Sequence, residues 1–84
     1  FYAPYPNPFN PITTINIQIE MLYTLSLQIY DMNGRVVESL LDNELLIPGN
    51  YKFQWNAQAH SSGIYFAKLN VAGKIITRKV VLIK

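Results

Sequence analysis

Cysteine is absent from the 84 residues, and charged side chains make up only 14% of them. The lack of cysteine excludes a disulfide scaffold and a thiolate metal site, so a domain of this size must depend on its apolar core. An average domain has about 25% charged residues. Because half of the residues here are hydrophobic, the composition predicts one folded domain whose uncharged surface suits contact with a partner.

Side chains that transfer protons or hold metals are scarce. His60 is the single histidine, in the polar loop 57–63. Ser61 and Ser62 are its neighbours in sequence, which does not make a catalytic triad, so we expect an exposed loop histidine. Glycine-rich phosphate loops and metal-ligand spacings are missing. The sequence therefore predicts no catalytic residue, no metal site and no cofactor.

The chain also lacks an initiating methionine, a signal peptide and an apolar run long enough to span a membrane. We expect residues 1–84 to be a segment of a larger protein, with Lys84 as its natural C-terminus. Four prolines fall between residues 4 and 11, where they favour extended structure and cannot donate hydrogen bonds. Residues 1–11 are thus predicted to be a proline-rich segment or linker, and Phe9 is predicted to fill one end of the core.

Apolar and polar residues alternate along four runs, and helical periodicity is almost absent. The runs lie at 15–20, 25–30, 51–56 and 65–71. Each places one face on a core and the other toward water. Short strands separated by turn signals predict an all-β sandwich.

Turn residues join these strands. Asn33-Gly34 predicts a type I′ turn between strands 25–31 and 35–41, since both of its central residues need positive φ. A second tight hairpin is predicted at Ala72-Gly73-Lys74. Residues 40–47 fit a strand end, a crossing loop or a short helical turn, and we interpret them as a crossover between sheets.

Three aromatic residues share one strand face, Tyr51, Phe53 and Trp55. Polar residues alternate with them, which favours a place in the core. An exposed sugar-binding platform is the other interpretation.

The last strand is apolar on both faces. Val80 and Leu82 point one way, whereas Val81 and Ile83 point the other. Either both faces are covered, by neighbouring strands or by the proline-rich segment, or the strand pairs through its edge with a partner.

Charge is divided along the chain. Residues 1–44 carry five acids and one arginine, and residues 45–84 carry six basic residues and no acid. One interpretation is that the two halves interleave in the sandwich and mix their charges on its surface. The other is that a basic face near the C-terminus meets an anionic surface, such as lipopolysaccharide or an acidic receptor. No motif combines basic and exposed aromatic residues for nucleic acid, so no nucleic-acid partner is expected.

Five blocks in one order carry a family resemblance. They are Tyr5-Pro-Asn-Pro-Phe-Asn-Pro11, Ile29-Tyr-Asp-Met-Asn-Gly-Arg35, Pro48-Gly-Asn-Tyr51, Ser62-Gly-Ile-Tyr-Phe66 and Thr77-Arg-Lys-Val-Val-Leu-Ile-Lys84. Together they resemble the type A C-terminal sorting domain of proteins exported by the type IX (Por) secretion system of Bacteroidetes. The domain is also similar to the immunoglobulin-like domain of the flagellar hook-capping protein.

The resemblance implies an immunoglobulin- or fibronectin III-like β-sandwich of about seven antiparallel strands over residues 12–84. It implies a non-catalytic signal at the end of a larger exported protein, expected to be a hydrolase, which passes through the periplasm to the cell surface or medium. The implied partners are the outer-membrane translocon, a sortase, the parent catalytic domain and anionic lipopolysaccharide. An accessory carbohydrate-binding or spacer module of a secreted glycosidase or protease is the alternative.

Recognition residues follow from the same motifs. The candidates carried over or taken from the last strand are Gly49, Tyr51, Gly63, Tyr65, Lys79, Val81, Ile83 and Lys84. The glycines also suit turns, the tyrosines a core and the lysines a strand edge.

Overall fold

The alternating runs form six antiparallel strands in the computed structural model, which describes residues 1–84. The strands are β1 (Ile12–Ile19), β2 (Tyr23–Tyr30), β3 (Val36–Leu46), β4 (Gly49–Asn56), β5 (Gly63–Val71) and β6 (Lys74–Leu82). The predicted all-β fold is confirmed, with six strands where about seven were expected. The structure holds no helix of the length and apolarity that a membrane crossing requires.

Two sheets of unequal width make up the sandwich. The smaller sheet pairs β1 with β4, and the larger has the order β3-β2-β5-β6. All strand pairings are antiparallel, and the eight residues of β1 and β4 pair without a bulge. Each sheet contributes its apolar face to the interior, as expected for a sandwich.

The core contains fifteen buried hydrophobic residues from both sheets. The smaller sheet contributes Ile15, Ile17, Ile19 and Trp55, and the larger sheet contributes the rest of the strand residues. Phe9 joins them with 2% of its surface exposed, which confirms the prediction that it fills part of the core. Burial of such side chains is the main source of stability in a chain with no disulfide.

The two hairpin turns differ from each other. Ala72 and Gly73 both have positive φ, at 51° and 78°, and join β5 to β6 in the predicted tight hairpin. In the other, Gly34 has a φ of 80° but Asn33 does not have positive φ, so the type I′ prediction is wrong. The Asp31 carboxylate accepts the N–H groups of Asn33 and Arg35 at 2.8 and 3.0 Å, which stabilises a longer loop.

Residues 40–46 belong to strand β3, so the predicted crossover is wrong except at the turn into β4. Three register irregularities interrupt the pairing of β2 with β3. At one of them Asn43 has a φ of 49°, and its N–H donates to the Ser26 hydroxyl at 3.0 Å. The bulges break the alternation of β3, which explains why periodicity did not reveal a strand here.

The proline-rich segment 1–11 lies between the two sheets on one side of the sandwich. Tyr5 and Thr14 exchange backbone hydrogen bonds of 2.9 and 3.0 Å, which ties the segment to β1. Further along, Phe9 forms a parallel bridge to Leu82 of β6. The segment therefore closes the seam between β1 and β6. The opposite seam, between β3 and β4, has no covering segment, because each of these strands pairs with only one neighbour.

Candidate recognition surface

Two turns of the form Gly-x-Tyr have the same local geometry. Gly49 and Gly63 have φ values of 158° and 157°, which residues with a side chain rarely adopt. Two residues later, the Tyr51 hydroxyl donates to the carbonyl of Ile47 at 2.6 Å. The Tyr65 hydroxyl donates to the carbonyl of Ser61, also at 2.6 Å. Each tyrosine thus fixes the chain four residues upstream, as tyrosine corners do in other sandwiches.

Tyr65 lies in the core, in an aromatic cluster. The centroid of its ring is 5.2 Å from that of Trp55, in an edge-to-face arrangement, and the ring centroids of Trp55 and Phe9 are 5.4 Å apart. His60 packs on the same group, 5.7 Å from Trp55, and is half-buried. The prediction of an exposed loop histidine is therefore wrong, because the loop folds back over the tryptophan. The Trp55 Nε1 atom is buried without a hydrogen-bond partner.

Tyr51 lies at the surface end of β4 and is only half-buried. It lines an open groove with Tyr2 and Lys52. Phe53 is also half-buried, and Trp55 alone of the three aromatic residues is fully buried. The core interpretation thus holds fully for Trp55, while Tyr51 and Phe53 pack against the core from its margin.

The outer edge of β6 is occupied by the proline-rich segment. Phe9 donates its N–H to the Val81 carbonyl at 2.9 Å and accepts from the Ile83 N–H at 3.0 Å. The Asn7 side chain completes the ladder, since its amide donates to the Lys79 carbonyl and accepts the Val81 N–H, each at 2.9 Å. The backbone of residues 79–83 therefore has its hydrogen bonds made within this domain.

Side chains of the last strand remain accessible on one face. Val80 and Leu82 are buried in the core, whereas Lys79 and Ile83 are exposed and Val81 is half-buried. In register with them on β5 lie Phe66, opposite Lys79, and Ile64, opposite Val81. Because cross-strand partners share a face, these residues form a mixed apolar and basic patch on the outer face of the larger sheet. We call the residues Ile64, Phe66, Lys79, Val81 and Ile83 the terminal patch.

The remaining candidates divide between two places. Gly63 pairs with Leu82, so Gly63 and Tyr65 adjoin the terminal patch. Lys84 is held nearby, where its Nζ donates to the Gln58 carbonyl at 2.6 Å and its backbone N–H to the Ser62 hydroxyl at 3.0 Å. Gly49 and Tyr51 belong to the smaller sheet instead. The structure thus brings six of the eight candidates together at one end of β5 and β6.

Charge is separated across the larger sheet. Glu38, Asp42 and Glu44 lie on β3 at one edge, and Lys74, Arg78 and Lys79 lie on β6 at the other. The order β3-β2-β5-β6 keeps these strands apart. The charges therefore do not mix in this sheet, and β6 gives the terminal patch a basic border.

The sequence interpretation missed Asn7, whose side chain closes part of the β6 edge. The spacing of the prolines is the sequence signal for this residue. Pro4, Pro6 and Pro8 have no backbone N–H, and they alternate with residues that can donate hydrogen bonds. Tyr5 and Phe9 donate through the backbone, and Asn7 through its side chain. Thr13 was missed as well. It is fully buried, and its hydroxyl donates to the Pro6 carbonyl at 2.8 Å.

The fold and the patch together define a small β-sandwich module that offers a surface. No group of three or more His, Cys, Asp or Glu side chains is placed to hold a metal ion. The family model described as "Secretion system C-terminal sorting domain" matches residues 3–84. Comparison with curated proteins found no match. Comparison with solved structures found none either.

Because the match covers nearly the whole chain, the protein belongs to the family of type IX secretion C-terminal sorting domains. The domain is a sorting signal that marks a larger parent protein for export to the cell surface or the extracellular space. It is recognised by the type IX secretion machinery, and the family is non-catalytic. The comparisons give no support to the carbohydrate-binding alternative.

Proposed function

We propose that the secretion machinery reads this signal through the side chains of the terminal patch and not through the backbone edge of β6. The supporting observation is the ladder to Asn7 and Phe9, which uses the edge groups of residues 79–83. Strand addition at that edge needs free N–H and C=O groups. Side-chain recognition needs none, and Ile83 has 53% of its surface exposed.

The other candidate residues shape the patch in this proposal. Gly63 and Tyr65 set the path of the chain into β5, and the bond from Tyr65 to Ser61 fixes the preceding loop. Lys84 anchors the end of the chain to that loop. Gly49 and Tyr51 perform the same structural task in the smaller sheet. The proposed contacts with the translocon and sortase are therefore made by Lys79, Val81 and Ile83.

Two finer statements complete the proposal. The domain itself carries out no catalysis, a view supported by the packing of His60 against Trp55 and Tyr65. The parent chain supplies any chemistry. Anionic lipopolysaccharide is a second proposed partner, supported by the basic residues of β6 and by the distance of the β3 acids from them in the strand order.

The test is an export assay with a fluorescent protein that carries residues 1–84 at its C-terminus, in a host with a type IX system. Replacing both Val81 and Ile83 with Thr removes apolar surface from the terminal patch but keeps β-branched residues in the strand. We expect the variant to remain folded and its exported fraction to fall to background. The control is Ile75→Thr, which changes an isoleucine at the opposite end of β6 that is 64% exposed, against 53% for Ile83 just beyond the strand.

Circular dichroism and thermal unfolding of the purified domains establish whether each variant is folded. Normal export of the folded double variant would contradict the proposal. Equal loss of export in Ile75→Thr would also contradict it, because the effect would then not belong to the patch. A further contrast is Asn7→Ala, which frees the Lys79 carbonyl and the Val81 N–H of the β6 edge, since export by edge pairing would rise in that variant.

A further inference from the structure

The edge of β4 is the one long, regular and uncovered edge of the sandwich. The edges of β1 and β6 are bonded to the proline-rich segment. The edge of β3 is interrupted by bulges and carries three acids, both of which prevent strand addition. By contrast, β4 has no bulge in its pairing with β1, no proline and no acid.

The pattern of hydrogen bonds in β1 shows which β4 groups are free. Thr14 bonds to Tyr5 through both its N–H and its C=O, and the Asn16 carbonyl accepts from Tyr2. Even-numbered residues of β1 therefore direct their backbone groups toward the proline-rich segment. In an antiparallel ladder the odd-numbered residues then face β4.

The register transfers this alternation to β4. Ile15 pairs with Phe53 and Ile17 with Tyr51, so the odd-numbered residues of β4 bond to β1. The even-numbered residues direct their N–H and C=O groups away from β1, toward the open seam. These residues are Asn50, Lys52, Gln54 and Asn56.

Apolar side chains beside this edge are incompletely covered. Only Leu41 of the eleven β3 residues is buried. The half-buried residues on the two strands at the open seam that pack against the core are Val37, Leu40, Leu46, Tyr51 and Phe53. The smaller sheet has two strands against four in the larger, so a third strand beside β4 would cover these side chains.

We propose that β4 accepts an extended strand of the secretion machinery, which completes the smaller sheet by antiparallel or parallel pairing. The incoming strand is apolar on the face toward Tyr51 and Phe53 and carries an acid opposite Lys52. This inference rests on the proposed function and adds a second contact to it. Phe1 lies against Arg78 of β6, so the proline-rich segment leaves the β4 seam, on the opposite side of the sandwich, uncovered.

A second copy of this chain fits the edge less well. Antiparallel pairing of two β4 strands about a two-fold axis normal to the sheet also brings the two β3 edges together. Each β3 edge carries Glu38, Asp42 and Glu44, and like charges across such a contact are destabilising. A strand from a different protein meets no such repulsion.

Gln54→Pro tests the edge directly in the fluorescent fusion with residues 1–84. Its N–H faces the open seam, so proline removes no hydrogen bond of the isolated domain but blocks strand addition. Gln54→Ala is the control, because it removes the same side chain and keeps the N–H. We expect export of the alanine variant and loss of export in the proline variant, with both folded by circular dichroism.

Lys52→Glu is a second variant that leaves the backbone unchanged, so it remains informative if proline disturbs folding. We expect it to reduce export, whereas Arg35→Glu, at another exposed basic residue in the β2–β3 loop, has no effect. Normal export of Gln54→Pro or of Lys52→Glu overturns the inference but leaves the sorting function intact. Failure of the unchanged fusion to be exported contradicts the sorting function itself.

Light scattering of the purified domain tests the other occupant. If the purified domain is a monomer, the β4 edge is not occupied by a second copy, which supports the inference. A dimer that Gln54→Pro dissociates, with export unchanged, assigns the edge to a second copy and overturns it.

Discussion

The two Gly-x-Tyr turns are near-identical in local geometry and opposite in environment. Gly49 and Gly63 differ by one degree in φ, and both tyrosine hydroxyls make 2.6 Å bonds to the carbonyl four residues upstream. Tyr65, however, has 6% of its surface exposed and packs edge-to-face against Trp55, whereas Tyr51 is half-buried beside an open groove. The tyrosine ring of one turn therefore lies in the core, and that of the other lies near the surface, where a partner can reach it.

The Gly-x-Tyr motif therefore encodes a bend of the chain and not a depth of burial. The glycine permits the conformation and the hydroxyl fixes it, and both are local effects. What surrounds the ring depends on which sheet lies opposite. Substitutions that remove the tyrosine ring should therefore lower the free energy of unfolding by different amounts at the two turns. Substitutions that strain the glycine backbone should lower it by similar amounts.

Removal of the rings should separate the turns most strongly. We expect Tyr65→Ala to lower the free energy of unfolding by about 3–5 kcal/mol, because it leaves a cavity beside Trp55. We expect Tyr51→Ala to cost about 1–2 kcal/mol, since its ring loses less buried area. Urea unfolding followed by tryptophan fluorescence measures both values, because Trp55 is the only tryptophan.

Phe66→Ala is a suitable control for the loss of an aromatic ring outside the core, at a half-buried position on the same strand as Tyr65. Equal destabilisation by Tyr51→Ala and Tyr65→Ala would show that the environments do not differ in energy. The comparison drawn from the structure would then fail.

Substitution of the glycines should instead affect the two turns alike. An added Cβ at Gly63 meets no atom within 4 Å, and at Gly49 it meets only the Tyr51 ring at 3.8 Å. The cost of Gly49→Ala and Gly63→Ala is therefore backbone strain at φ near 158°, about 1–3 kcal/mol for each. Chemical denaturation measures it, and a difference of more than about 1.4 kcal/mol, tenfold in the equilibrium constant, would mean that strain is not the shared cause.

The sequence was sufficient for features that depend on local pattern. Alternation located four of the six strands and separated Val80 and Leu82 from Val81 and Ile83, and the positive φ of Ala72 and Gly73 follows from the predicted tight hairpin. The five blocks also led to the family, which the family match confirms. Each of these signals lies within a few neighbouring residues.

Features that depend on distant residues escaped the sequence interpretation. Asn7 is 72 residues from Lys79, to which it bonds, so the proline spacing that marks residue 7 as a donor does not indicate which strand edge it meets. The bulges of β3 hide its alternation, because Ser26 of another strand satisfies Asn43. His60 escaped for another reason, since it is close to Trp55 in the sequence but lies in a polar loop that gives no sign of folding back over the tryptophan ring.

Removal of the hydroxyl groups alone gives the finest test of the two turns. Tyr51→Phe and Tyr65→Phe keep the rings and delete only the 2.6 Å bonds to Ile47 and Ser61. A single hydrogen bond contributes about 0.5–1.5 kcal/mol to the free energy of unfolding. We expect a loss at the upper end for Tyr65→Phe, because that bond is part-buried. We expect a loss at the lower end for Tyr51→Phe, because that bond is exposed to water. Paired urea titrations of both variants against the parent domain resolve the order, and a larger loss for Tyr51→Phe would reverse it. Because the carbonyl left behind at Ile47 can bond to water, the smaller effect there would confirm that the same local bond is worth less at the margin than beside the core.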